Sequence, residues 1–431
     1  MTSTLLKFPR LNAPVLRQLS NGLTIIAEQI PVEAVNLNLW VNIGSAIESD
    51  NINGMAHFLE HMMFKGTEKL ASGEFERRIE ERGAVTNAAT SQDYTHYYIT
   101  TAPQDFVELA TLQIDVVTNA SIPDHAFEQE RLVVLEEIRR SEDNPRRRTF
   151  RRAMETAFNK LPYKRPVLGP EAVISQLKPQ QMRDFHETWY QPRSMTAVAV
   201  GNLPVEELID AITEGFSQAS KNQGSGVSFT PVEPDTELPF TEIIRQEFID
   251  ESLQKARLVM VWRVPGMMQL EETYALDVLA GILGQGRTSR LVRDLREERG
   301  IATHISVSNI TNRLQGIFYI SAQCTVENIP VVEAAIATHI RKLHTEIVQD
   351  AEIARIRTRV ANRFIFGNEK PSDRANLYGY YQSLVGDLEP AFDYPLHIHQ
   401  QSGEDLMQAA QTYLSPDAYG VVVMKPKTAE N

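Results

Sequence analysis

Glu80-Glu81-Arg82-Gly83-Ala84-Val85-Thr86 returns later in the chain as Glu297-Glu298-Arg299-Gly300-Ile301-Ala302-Thr303, an offset of 217 residues (297 minus 80). The first copy closes a polar helical segment, stops it at a glycine and opens a strand-like run, and the second repeats the pattern. A second echo keeps step with it. Tyr190, ahead of the strand-like run Met195 to Val200, is matched by Tyr413, ahead of Tyr419 to Met424, at an offset of 223 (413 minus 190). Between the halves, residues 221–239 break all periodicity with Gly224, Ser225, Gly226, Pro231, Pro234 and Pro239. Two echoes in register about one linker indicate a duplicated unit.

The 431 residues exceed what one ordinary core holds, which agrees with two domains. Hydrophobic residues make up 42% and charged residues 23%, the balance of a globular protein. No run approaches the roughly 18 apolar residues of a bilayer span, so no membrane partner is expected. Cys324 is the single cysteine; no intrachain disulfide is possible, and its place in the run Ile317 to Thr325 reads as a small buried residue. The net charge of -13 argues against nucleic acid as a partner and, for any cavity, favours basic peptides. The first twenty residues carry neither a secretory apolar core nor an Arg-rich transit pattern, giving the expectation of a cytoplasmic, bacterial protein.

In the first half, strands are expected at Leu23 to Glu28 and at Val35 to Ile43. In the latter, Val35, Leu37, Leu39, Val41 and Ile43 alternate with Asn36, Asn38, Trp40 and Asn42, the period of a half-buried strand. A polar helix at about Ser72 to Arg82 precedes two paired strands, Ala84 to Thr90 and Tyr94 to Thr101. Helices follow at about Gln104 to Asn119 and Asp124 to Ser141. The basic stretch Arg139 to Arg152 reads as an exposed helix or a subunit contact. Helices near Glu171 to Trp189, the strand Met195 to Val200 and a helix at Val205 to Ala219 complete this half.

Within it lies Gly54-Met55-Ala56-His57-Phe58-Leu59-Glu60-His61-Met62-Met63-Phe64. His57 and His61 are four apart, just over one helical turn, so both imidazoles leave one face and can meet one ion. Glu60 stands beside the pair, placed to take a proton from water. Apolar neighbours make the helix a buried one, where polar groups need a common reason to be there. Adding 217 to His57, Glu60 and His61 reaches Tyr274, Asp277 and Val278, so only the first half carries this chemistry. On the helix from Asp124, Glu130 and Glu137 lie two turns apart on one face. The residues alone leave that face open between a site and a solvated surface shared with Glu128 and Glu136.

The motif His57-Phe58-Leu59-Glu60-His61, with its flanks Gly54 to Ala56 and Met62 to Thr67, resembles the inverted zinc motif of the pitrilysin and insulysin family, in the branch of mitochondrial processing peptidase and its bacterial relatives. Asn87 to Thr90 and Leu291 to Ile301 are also similar to stretches of that family, and the likeness runs from about Leu19 to Lys425. It implies an α+β chain of two homologous α/β sandwich domains, each a mainly antiparallel sheet packed with helices. The first would be a catalytic zinc-binding domain (1–220), joined by a linker (221–240) to a homologous non-catalytic domain (241–431). It further implies Zn2+ held by His57, His61 and Glu137, with Glu130 as a supporting carboxylate and Glu60 as the catalytic base. Substrate peptides would bind along the strand at Asn87 and Ala88, and the activity would be that of a metallopeptidase hydrolysing unfolded peptides in an enclosed chamber. Family members acting alone carry an arginine and, seven residues on, a tyrosine in the second domain. Here Arg296 is present but the later position is Thr303, so the resemblance implies a heterodimer whose related subunit supplies the pair, with a homodimer as the other arrangement. A non-catalytic structural subunit is the rival reading.

Overall fold

The computed structural model describes residue 11 and residues 13–219 and 235–427. Positions 221–234 of the expected linker lie outside the described residues, and 235–240 run without helix or strand.

The described residues form two sheets. The first contains β1 (Val15–Gln18), β2 (Thr24–Gln29), β3 (Val35–Val41), β4 (Val85–Thr90), β5 (Thr95–Thr101) and β6 (Met195–Gly201), in the order β1-β2-β6-β3-β5-β4. The second contains β7 (Ile244–Ile249), β8 (Ala256–Pro265), β9 (Ala302–Ile310), β10 (Gln315–Cys324) and β11 (Gly420–Lys425), in the order β7-β11-β8-β10-β9. With β1 set aside, the orders are identical. In each, the last strand of the half inserts beside the first as the one parallel pair, β2 with β6 and β7 with β11, and the remaining pairs are antiparallel. The seven-residue echo lands at equivalent places, entering β4 and β9. The duplication indicated by the repeat, and the α+β architecture that the resemblance implies, are what the chain adopts.

One face of the first sheet packs on helices of its own half. Val35, Leu37, Leu39 and Val41 join Met55, Phe58, Leu59 and Met62 of helix α1 (Met55–Met62) in one core, with the helices Phe106–Thr118 and Val205–Ala219. The opposite face was expected to meet water, and it does not: every residue of β3 is buried. Trp40, Val198 and Val200 lie under Ala375, Tyr378 and Tyr381 of the helix Pro371–Leu384, which belongs to the second half. Asn38 Nδ2 donates to Asn376 Oδ1 at 2.8 Å, and Asn36 Nδ2 to the Ile99 carbonyl at 2.9 Å, so both side-chain amides donate to protein rather than to water, while Asn36 Oδ1 and Trp40 Nε1 are buried without a partner. The helix comes so close that a Cβ on Gly379 would stand 2.0 Å from Trp40 Nε1.

The exchange is reciprocal. Helix α5 (Pro145–Ala157), which follows α2 (Glu74–Glu81), α3 (Phe106–Thr118) and α4 (Asp124–Asp143), lays Ala153, Met154 and Ala157 on Val259, Val261, Ile317 and Val422 of the second sheet. The arginine-rich stretch is therefore half of an inter-domain contact and not a free helix; its apolar residues occupy one narrow stripe, which the surrounding arginines mask in the sequence. Cys324 is buried in the second core, as expected.

At the position equivalent to Glu60, Asp277 accepts hydrogen bonds from Asn309 Nδ2 and Tyr394 Oη, both at 3.0 Å. Burial pushes its carboxyl up to about 6, against the pull of those two bonds. A carboxyl whose folded pKa exceeds its ordinary value of 3.8 contributes less stability as pH rises through that window, and the full penalty applies above it. Asp277→Asn is accordingly expected to raise the melting temperature at pH 8 and to leave it nearly unchanged at pH 4; the reverse order of gains would refute the assignment.

Candidate metal centre

Helix α1 starts from Gly54, whose φ of 97° suits glycine, and its first amides are held by one buried carboxylate. Glu48 accepts from Gly54 N and Ala56 N, both at 2.7 Å, and from Asn53 Nδ2 at 2.9 Å. A carboxylate there answers both the free N–H groups and the positive end of the helix. Burial nevertheless raises the Glu48 carboxyl to about 7, more than these hydrogen bonds lower it. Nothing in the sequence pattern singled out Glu48, because it lies in a loop with no periodicity.

The apolar face of α1 fixes the polar one. Phe58 stacks on Phe127 of α4 with ring centroids 4.5 Å apart, and Arg131 ties α4 down by donating to the Ile174 and Leu177 carbonyls at 2.8 Å each. Farther along α4, Glu137 then faces both imidazoles: its Oε2 is 3.4 Å from His57 Nε2 and 3.5 Å from His61 Nε2. Its hydrogen bonds to His57 and then His61 hold the carboxyl far below the usual range. Burial alone would lower the His61 imidazole, but Glu137, Glu60 and Glu130 together raise it. Glu130 Oε2 lies 3.5 Å from His61 Nδ1 and its Oε1 is 2.7 Å from Lys65 Nζ, so it braces the outer side of the ring while the inner nitrogen faces Glu137. Glu136, one residue away, pairs instead with Arg140 at 3.1 Å.

Donor atoms of His57, His61 and Glu137 lie within 4.8 Å of one another, and among the described residues this is the group of three or more such side chains able to hold a metal ion. Ligands about 2.1 Å from a tetrahedral zinc stand about 3.4 Å apart. The two observed separations, 3.4 and 3.5 Å, match that edge, and two imidazole nitrogens with one carboxylate oxygen are a donor set zinc accepts.

Glu60 points to the same space and is held from the side by Thr90, whose Oγ1 donates to Glu60 Oε2 at 2.5 Å. Thr90 ends β4 and had no role in the sequence reading; only folding brings it thirty residues back to α1. The second half keeps this carboxylate-to-strand bond at Asp277 and Asn309 while Tyr274 and Val278 replace the imidazoles. β4 is the outer strand of its sheet, as expected for peptide pairing. Its Ala88 N–H is taken by Asn87 Oδ1 at 2.9 Å. Asn87 and Ala88 themselves stand outside the lining of the adjoining cavity, which begins one residue later with Ala89 and Thr90.

That cavity, about 600 Å³, joins His57, Glu60 and Glu137 to the first turns of α5. Its lining contradicts the expectation drawn from the net charge: Arg146, Arg147, Arg148, Arg151, Lys164 and Arg165 face Glu60, Glu137 and Glu142. Overall acidity says nothing about where charges gather. Arg296 is not among the residues lining this cavity and pairs with its neighbour Glu297 at 2.6 Å, and Thr303 is exposed.

The family model described as Insulinase (Peptidase family M16) matches residues 24–171, and the one described as Peptidase M16 inactive domain matches residues 176–360. An uncharacterized zinc protease of Rickettsia felis is 26% identical over 401 residues, covering 93% of this chain and 95% of its own length. A solved protease from Helicobacter pylori superposes with a TM-score of 0.89 at 25% identity, covering 96% of this chain and 99% of that one. The fold alone extends to a chain of Complex III2 from Candida albicans, with a TM-score of 0.81 at 16% identity over 95% of each chain. With both halves matched in order and the histidine pair, glutamate and duplicated sheets in place, this chain belongs to the insulinase family, peptidase family M16.

Proposed function

We propose that the chain is a zinc endopeptidase acting on extended, unfolded peptides, with His57, His61 and Glu137 holding the metal and Glu60 acting as base. The observation that carries this reading is the convergence of the three donors, with Glu137 at a tetrahedral-edge distance from each imidazole, and Glu60 on the cavity that His57 and Glu137 line. Zinc, when bound, supplies a Lewis acid that polarises a carbonyl and makes water reactive near neutral pH. Thr90 occupies Glu60 Oε2, leaving Oε1 to take the proton from water and return it to the leaving amine. The free edge of β4 offers backbone pairing to a substrate strand, which recognises extended chain irrespective of its sequence. A related second chain would close the chamber and supply the arginine–tyrosine pair that Thr303 leaves incomplete here, whereas a second copy of this chain would close it without that tyrosine; a native mass with and without the related chain tests the assembly.

The rival is a non-catalytic subunit of a complex, and the complete donor set favours the peptidase. The deciding experiment measures zinc content and cleavage of unfolded peptides before and after chelation. One zinc per chain, cleavage lost on chelation and restored by zinc, is expected. Cleavage indifferent to chelation, or a chain that takes up no zinc, overturns the reading. No helix among the described residues is long and apolar enough to cross a membrane, and the relatives named above as zinc protease or protease are bacterial.

A further inference from the structure

The basic wall of the cavity is a feature the metal centre does not require. Of its six cations, four are already engaged. Arg148 pairs with Asp250 at 2.6 Å, Arg165 with Asp50 at 2.8 Å, Arg151 with Glu142, and Lys164 donates to the Asn159 carbonyl at 2.7 Å. Arg146 and Arg147 have no side-chain hydrogen bond or ion pair among the described residues, and neither does Arg257. The cavity's own carboxylates are engaged elsewhere: Glu60 accepts from Thr90, Glu137 faces the imidazoles, and Glu142 is taken by Arg151.

Arg257, at the start of β8, points the same way. Its Nε is buried with no hydrogen-bond partner, an expensive state for a guanidinium unless an anion completes it. Burial and then the charge of Arg146 pull its pKa below the ordinary value, against Tyr319 and Asp250, and the Asp250 carboxylate is already paired with Arg148. His304 of β9 lies in the same field: burial, then Arg146, Arg296 and Arg257, lowers its imidazole. Cations from both halves thus converge beside the α5 end of the cavity, in a chain whose net charge is -13.

We propose that this wall, joined by Arg257 from outside the cavity lining, is a specificity subsite: Arg146, Arg147 and Arg257 receive the carboxylate of an Asp or Glu side chain flanking the cleaved bond, so the enzyme prefers acidic peptides. A guanidinium presents paired N–H donors that fit a carboxylate, which an amide isostere does not match in charge. The proposal rests on the peptidase reading above for its place in a reaction, but binding tests it separately.

The experiment uses the zinc-loaded full chain and fluorescent peptides that differ only by Asp or Glu against Asn or Gln near the cut, each with a free and an amidated C-terminus. Direct binding and kcat/KM are both read. The acidic peptides are expected to bind and cleave about fivefold better than their amide isosteres, a ratio in the range of partly exposed ion pairs. The ratio should shrink as salt is raised. In Arg146→Glu/Arg147→Glu it should fall to one or invert, and in Arg257→Met it should shrink. Acidic preference in binding without any cleavage supports the subsite and sinks the peptidase. Cleavage with equal rates on acidic and amide peptides, a ratio unmoved in the double variant, or a preference that vanishes on amidating the C-terminus overturns the subsite.

Discussion

Glu60→Gln is expected to lower turnover on an unfolded peptide by about 10²–10⁴-fold, the contribution of a positioned general base. Its zinc content and melting curve should match the parent. Glutamine keeps the length of the side chain and can still accept from Thr90, but it cannot take a proton. The metal donors His57, His61 and Glu137 are untouched, so chemistry and assembly are separated by one substitution. Turnover within about tenfold of the parent would remove Glu60 as the base. Loss of zinc instead would make it a ligand.

Arg374→Met is expected to cost about 3–5 kcal/mol in unfolding free energy, because it strips the cation from a buried pair. Glu28 is 3% exposed, in β2 of the first sheet, and is held by Arg374 and by Tyr378 Oη at 2.7 Å, both from the helix of the second half. Even with these partners burial leaves the Glu28 carboxyl raised above its ordinary value, since desolvation outweighs the bonds from Tyr378 and Arg374. Without the arginine the carboxyl rises further. For an acid with a raised folded pKa, stability declines as pH climbs past the unfolded value of 4.5, so the defect should be largest near pH 8 and shrink toward pH 4.5. Adding Glu28→Gln, which keeps an acceptor for Tyr378, should recover most of the loss. A double variant no more stable than Arg374→Met would show that the charge was not the cause.

These two substitutions probe parts of the protein that were legible to different degrees. The spacing of His57, Glu60 and His61 is a property of one helical turn, and any helix through these residues brings them to one side. Glu137 is a different matter. Its helix could be placed, but its residues alone left a metal-facing and a solvated reading open, and a family likeness was needed to favour one. What joins it to the histidines is the packing of Phe58 on Phe127, a contact across sixty-nine residues that no periodicity encodes.

The alternating pattern of β3 identified a strand and its two faces, but predicted water on the side where Trp40 and Asn38 meet the other half. Likewise the arginines of α5 masked the narrow apolar stripe that docks it on the second sheet. The chain's own sequence thus determined its duplication, the strands β2 to β6 and the main helices of the first half, and the histidine pair, because each depends on spacing within an element or on repetition between halves. The tertiary structure alone decided that the halves exchange helices, that Thr90 and Glu48 serve the centre, and that a basic wall stands beside it in an acidic protein. Those outcomes depend on which surfaces meet, and a surface is buried only when a distant part of the chain arrives to cover it.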